Sequence, residues 1–391
     1  MKSLVNILQI CRAEFRYIMR DHGVVLFVFF VPLLYPLLYA FIYTNETVRE
    51  VPVAVIDNAR SPLSRQFERM LDATPEVNVV ARCVSVAEAE RLNKRGEIYA
   101  FVVIPEELDR TLANGDQAII GVYADMAGML YYKSALLAAT NVSLALNKQL
   151  KVERFYTGAT PRQEAIATQP IDYDYIPLYN PQSGFASFLM PAVMMLILQQ
   201  TLMLGLGMVG GGIRERFNGY AIPAMRIFKN PFHIVWGKTI VFFVIYMIMS
   251  VYMFTVVVDV FDLPSLGRLS TYLAFMVPYI LACIFMGITF SSFVYRREDC
   301  ILLFVFMSVP LLFLSGISWP SSAVPAFWKW VSMLFPSTFA VNGYVRINSM
   351  GADLVQVGRE FVALWIQAGI YFIFSVLFYR KEIRRLLKRK N

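Results

Sequence analysis

Ser315–Pro325 reads SGISWPSSAVP, and it decides how this chain folds. It follows a fully apolar run, Ile301–Leu314, and a second apolar stretch, AFWKWVSMLFPSTFAVNGY, follows at once. Gly316, Pro320, Pro325 and then Pro336 fall where a membrane helix should still be crossing. From Ser315 to Tyr344 a continuous helix would reach about 45 Å at roughly 1.5 Å per residue. A hydrocarbon core is only about 30 Å thick. Each proline lacks an N–H and clashes with the preceding turn, so an unbroken helix is excluded. A broken apolar segment survives at membrane depth only when it is buried in protein or lines a cavity. The expectation is a re-entrant segment over 315–345, entered at Ser315 and Gly316 and followed by Arg346. Trp319, Trp328 and Trp330 suit the level of the lipid headgroups.

Composition agrees with a membrane protein. The chain has 391 residues, 57% hydrophobic and only 16% charged. A soluble chain of this size carries about a quarter charged residues. The net charge of +8 reads as cytoplasmic basic loops rather than a nucleic-acid surface, since no nucleic-acid motif appears. The cysteines Cys11, Cys83, Cys283 and Cys300 show no metal spacing and predict no disulfide framework.

Six segments meet or approach the length of a crossing: Val24–Tyr43, Gly184–Val209, Phe232–Val258, Leu269–Val294, the short Ile301–Leu314, and Phe361–Tyr379. The first has no small-residue cleavage site and reads as a retained anchor. Basic residues set the orientation. Lys2, Arg12, Arg16 and Arg20 precede the first segment; Arg214, Arg216, Arg226 and Lys229 follow the second. Arg296 and Arg297 follow the fourth, and the tail over 380–391 is dense in Lys and Arg. Six crossings put all these regions on one side, the cytoplasmic side. Residues 44–183 then lie outside, and both termini lie inside. Residues 1–23, apolar at Leu4, Ile7, Leu8, Cys11, Phe15 and Ile18 with basic residues between, predict a helix along the cytoplasmic interface.

The insert alternates strand and helix signals. VPVAVID, VNVVARC, IYAFVVI and QAIIGVYAD read as strands. Helices are predicted after Ser61, over VAEAERLNKR, over PEELDRTLANG and from Gly128 to Arg154. The fold class is therefore an α-helical polytopic membrane protein of six transmembrane helices plus re-entrant helices, with an inserted α/β extracytoplasmic domain.

Little in the chain carries chemistry. His22 and His233, the two histidines, lie at predicted membrane borders without ligand-spaced neighbours. No catalytic or metal residue is assigned. WGKT at Trp236–Thr239 mimics the end of a P-loop, but the required earlier glycine position is Phe232. Gly205, Gly207, Gly210, Gly211 and Gly212 end a span, where small residues let helices pack closely. Polar content within the spans is read as Gln199, Gln200, Gln367 and scattered Ser and Thr. Gln199 and Gln200 are candidates for interhelical hydrogen bonds or for lining a substrate path. Ion-driven carriers keep ionisable groups in their spans; without them, transport needs an external energy source.

The stretch LSGISWPSSAVPAFWKWVSMLFPSTFAVNGYVRINSMG resembles the re-entrant segment of ABC-2 type transporter permeases, through Ser315, Gly316, Pro320, Pro325, Pro336 and Arg346. RERFNGYAIPAMRIFKNPFHIVWGKTI resembles their coupling loop, through Arg214, Glu215, Arg216, Gly219, Pro223, Gly237 and Lys238. Family members usually carry Glu after that Arg and Thr after that Gly, where this chain has Phe217 and Tyr220. The overall order also resembles the exporter subgroup with a large domain between the first two spans.

The resemblance implies a permease subunit of an ABC exporter, itself without cofactor, in the bacterial inner membrane. It implies a separate cytoplasmic ABC ATPase holding ATP and Mg, docked on the loop over 210–231. It implies pairing as a homodimer or with a paralogous permease, leaves room for a periplasmic adaptor, and involves no nucleic acid. The spans suggest a hydrophobic or amphipathic cargo: a drug, a lipid or a lipid-linked molecule. Two rivals stay open. One is a membrane-anchored receptor or scaffold without transport; the other is a lipid-modifying enzyme, which would need a polar catalytic cluster.

Overall fold

The computed structural model describes residues 2–155, 160, 162–163, 178–181, 184–216, 230–294 and 296–388. They fall into two compact units: Met1–Glu46 with Pro177–Asn391, and Thr47–Ile176. The first unit opens with α1 (Lys2–Arg20), whose residues Ile10 and Ile18 are buried while Leu4, Leu8 and Phe15 stay exposed. Asp21 breaks the helix in an extended conformation, and its carboxylate accepts from the N–H of Val24. That cap starts α2 (His22–Ile42), which contains one wider turn at Leu26–Phe30.

The second unit is a small α/β layer. Its elements are β1 (Val51–Asp57), α3 (Pro62–Asp72), β2 (Val77–Arg82), α4 (Val86–Lys94), β3 (Ala100–Ile104), α5 (Leu108–Ala113), β4 (Gly121–Ala124) and α6 (Met129–Phe155). The strand order is β2-β1-β3-β4; β1 is parallel to both neighbours, and β4 is antiparallel to β3. The central strand β1 is apolar on both faces because both are covered. Val51, Val53 and Val55 pack with Phe67, Leu71 and Ala138 on one side. Ala54 and Ile56 pack with Ala89 and Phe101 on the other. Ser61 caps α3 with Pro62 in its first turn, the arrangement its sequence predicts. The last strand is shorter than the sequence suggests. Its pairing with β3 ends at Val103↔Gly121, so residues 117–120 have no ladder to join.

The helical bundle of the first unit continues with α7 (Phe185–Arg216), α8 (Pro231–Val260, with a wider turn at Met253–Val257) and α9 (Leu269–Ser291). Then come α10 (Arg297–Leu314), α11 (Ala326–Ser332), α12 (Pro336–Met350) and α13 (Gly358–Lys388). Helix α7 is the axis: its most apolar window is 94% buried, against 22% for both α2 and α13. Its glycines permit this. A Cβ at Gly207 would lie 2.5 Å from Cys300 Sγ, and one at Gly211 would lie 3.1 Å from the Arg296 carbonyl carbon.

Among the described residues, five helices are long and apolar enough to cross a membrane: α2, α7, α8, α9 and α13. The fifth of the six expected spans is not among them. Helix α10 has 18 residues, and Arg297, Glu298 and Asp299 occupy its first turn. The chain is a mostly helical polytopic membrane protein.

Beyond α10 the chain breaks where its prolines stand. Gly316 turns with φ +88°, a conformation that suits glycine. Pro320 heads the short helical turn Ser321–Ala323, Pro325 heads α11, and Pro336 is the first residue of α12. At a helix start the missing N–H leaves no bond unmade. Neither α11, with 7 residues, nor α12, with 15, can span the core; at about 1.5 Å per residue α12 reaches only about 22 Å.

Candidate functional site

Two polar constructions stand out in the bundle. The first closes the end that carries α1. Arg214, in the last turn of α7, is 4% exposed. Its Nη1 donates to the carbonyls of Ser291 (2.7 Å), Ser292 (3.1 Å) and Val294, and its guanidinium lies 5.3 Å from the Phe378 ring centre. It thus satisfies the orphan carbonyls at the end of α9. Glu215 accepts from the backbone N–H of Arg297 at 3.0 Å, at the start of α10. Arg297 in turn pairs with the buried Asp21. Arg216 lies over the Tyr17 ring at 5.6 Å. Arg214, Glu215 and Arg216 therefore tie α7 to α9, α10, α13 and α1. Gly219 and Pro223 lie outside the described residues, as does most of the expected loop over 210–231.

The sequence shows one member of this layer only as part of the coupling-loop resemblance, without its partner. Lys238, eight residues into α8, is buried, and its Nζ sits 2.6 Å from Glu14 of α1. A lone cation inside an apolar span should have called for a partner. Glu14 is the single acidic residue of α1, which was the available signal. The reading of span polarity as Gln, Ser and Thr alone is corrected by this pair. Around it, Ser3 bonds His233 (2.7 Å) and the Cys11 thiol donates to the Gly237 carbonyl (3.2 Å). A Cβ at Gly237 would lie 2.5 Å from Ile10 Cγ2. Helix α1 is thus seated closely on α8.

The second construction lies at mid-bundle and is neutral. Gln199 is fully buried, 14 residues or about 21 Å along α7. Its Oε1 accepts from the Ser337 N–H (2.8 Å) and its Nε2 donates to Ser337 Oγ (3.0 Å). From α13, Gln367 Nε2 donates to the Met333 carbonyl (2.7 Å), and the Tyr371 hydroxyl donates to the Leu334 carbonyl (2.6 Å). The turn between α11 and α12 is thereby supplied with hydrogen-bond partners by α7 and α13. Asn342 Nδ2 ties α12 back to the Ser315 carbonyl (3.1 Å). At its other end, Asn348 holds the loop between α8 and α9, accepting from Ser265 Oγ (2.9 Å). Arg346 donates to the Gln356 carbonyl (2.6 Å) and pairs with Glu360 at 3.4 Å. Gln200 behaves differently from its neighbour: both its amide atoms are buried without a partner among the described residues. Those residues also contain no group of three or more His, Cys, Asp and Glu that could hold a metal.

A central helix hemmed in by glycine contacts, a charged closure at one end and a bonded, proline-headed helix pair within belong to a mostly helical polytopic membrane protein. The sequence profile of the ABC-2 family transporter proteins matches residues 22–377. The chain belongs to that family and is an ABC-2 permease. It is 23% identical over 400 residues to the inner membrane transport permease YhhJ of Escherichia coli (strain K12), covering 98% of this chain and 99% of that one. The protein of the same name from Shigella flexneri matches to the same extent.

Proposed function

We propose that this chain is the membrane-spanning subunit of an ATP-driven exporter, powered by a separate ABC ATPase that holds the ATP and Mg. Its cargo is hydrophobic or amphipathic and moves out of the cytoplasm or inner leaflet. The observation that carries this reading is the charged layer. The last turn of α7, from which the chain leaves into residues 217–229, is bonded to α1, α9, α10 and α13. A push on that segment is therefore delivered to the whole bundle rather than to one helix. The turn over Met333–Ser337 is the part of the path such a push would open, and the unpartnered amide of Gln200 is assigned to the cargo path.

Topology follows the basic residues. Arg12, Arg16, Arg20, Arg214, Arg216, Arg296, Arg297 and Arg380 gather at the α1 end, which makes it cytoplasmic. Helix α10 serves as the sixth crossing with its charged first turn at that interface, and the α/β unit lies outside. A relative named as an inner membrane transport permease supports a location in the bacterial inner membrane. Two permeases per transporter, as a homodimer or with a paralogue, complete the assembly. A periplasmic adaptor remains an optional partner.

The test is ATP hydrolysis by the co-purified complex in nanodiscs. Glu215→Arg is expected to abolish substrate-stimulated hydrolysis while the permease stays folded and membrane-inserted; unchanged stimulation would overturn the reading. Topology is checked with Asn114→Cys, in the turn after α5. The native Cys83 supplies little background, because it is 7% exposed and burial raises its thiol pKa. An impermeant maleimide should label Cys at position 114 in intact cells.

A further inference from the structure

The α/β unit carries a cleft that the transport reading leaves unused. It holds about 540 Å³ at the carboxyl ends of β1 and β2, against the first turns of α3, and four arginines line it: Arg60, Arg65, Arg69 and Arg82.

The charges in the cleft do not balance. Two carboxylates line it, Asp57 and Glu68, and both are engaged. Asp57 accepts from the Arg60 N–H (2.9 Å) and from Ser64 Oγ (2.8 Å). Glu68, buried, pairs with Arg82 at 2.5 Å. Among the described residues, Arg65 reaches only the Arg60 carbonyl, at 3.3 Å. Among the described residues, no carboxylate lies within ion-pair distance of Arg60, Arg65 or Arg69. Arg65 and Arg69 stand one turn apart on α3, a like-charge spacing that weakens a helix. Arg60 itself is held at φ 52°, where an arginine backbone is strained. A ligand that brings negative charge would engage all three arginines. The cleft floor adds Val55, and its rim adds Val84, which is 80% exposed. Val80 stands exposed nearby on the edge strand β2.

We propose that this cleft binds a phosphate group, held by the guanidinium groups of Arg60, Arg65 and Arg69. Guanidinium forks match phosphate oxygens in bidentate geometry. The phosphate has two sources, a free phosphate ion or the phosphate of an amphipathic molecule whose apolar part rests on Val84. The proposal is independent of whether the chain exports anything.

The experiment uses the full chain in a maltoside detergent, with binding followed by calorimetry. The probes are inorganic phosphate, dihexanoyl phosphatidic acid and, as a phosphate-free control, dihexanoylglycerol. Saturable binding of phosphatidic acid but not of dihexanoylglycerol is expected, weakening as salt rises. Binding of inorganic phosphate with equal affinity assigns the site to the free ion; binding of phosphatidic acid at least tenfold tighter assigns it to an amphipathic phosphate. The variant R65Q/R69Q should lose at least tenfold in affinity with an unchanged unliganded melting temperature, because both side chains are exposed. If that variant fails to fold, R60Q alone carries the test and should weaken binding by the same sign. No saturable binding of either phosphate probe, or undiminished binding in the variants, overturns the proposal.

Discussion

The bundle meets one physical problem twice and answers it in two ways. At the α1 end, polar groups in apolar surroundings are held by full charges: Glu14 with Lys238, Asp21 with Arg297, and Arg214 on three carbonyls. At mid-bundle the turn over Met333–Ser337 is held by neutral groups, Gln199, Gln367 and Tyr371. Pairing explains the difference. Glu14, Lys238, Asp21 and Arg214 are all buried, so each charge is kept by an opposite charge or by carbonyls, and a salt-bridged layer resists shear. Deep in the core a charge costs about 2.5–3.5 kcal/mol or more, while an amide already matches what a broken backbone lacks. On the proposed reading, the charged layer would transmit a force, and the neutral turn would remake its bonds at low cost.

The comparison predicts a ranking. The largest effect belongs to the buried ion pair: Lys238→Met leaves Glu14 buried and uncompensated, for a loss of about 3–5 kcal/mol. Thermal unfolding of the purified permease reads this loss. The double variant Glu14→Leu with Lys238→Met should recover most of it; failure to recover would mean that the pair is not the origin of the loss. Next comes Arg214→Met. Uncapping the end of α9 should cost about 1.5–3 kcal/mol, the range for hydrogen bonds to a charged group, and Arg214→Lys should restore part of it. Gln199→Leu follows at about 1–3 kcal/mol, since the Ser337 N–H is then buried without a partner. If Gln199→Leu proved costlier than Lys238→Met, the contrast between the two constructions would collapse. The smallest effect is assigned to Arg385→Ala. Its partner is Glu382, but the arginine side chain is 59% exposed, so the change should stay within about 1 kcal/mol and set the floor of the scale.

Much of the fold was legible because it rests on local signals. Pro320, Pro325 and Pro336 announce three helix starts, and three helices begin there. Ser61-Pro62 announces the start of α3. Near-continuous apolar runs mark β1 and β3, as strands covered on both faces require. What stayed hidden depends on contacts between residues far apart in sequence. Glu14 and Lys238 are separated by 224 positions, and neither has a local pattern that names the other. Arg214 looked like part of a loop that docks a partner, yet its side chain turns inward onto Ser291, Ser292 and Val294. The glutamine pair could not be split by sequence; only the packing shows Gln199 bonded to Ser337 and Gln200 without a partner among the described residues. The fifth expected segment, Ile301–Leu314, belongs to an 18-residue helix whose first turn carries Arg297, Glu298 and Asp299, so it is not among the five described helices that are apolar enough to cross.

The neutrality of the Met333–Ser337 turn has an electrical consequence. Each elementary charge moved through the full membrane potential exchanges about 2.3 kcal/mol per 100 mV with the field. The turn and the three side chains that bond it carry no formal charge. Their displacement therefore draws almost no gating current. If the turn lies on the cargo path as proposed, a depolarised membrane would leave its opening and closing almost unchanged.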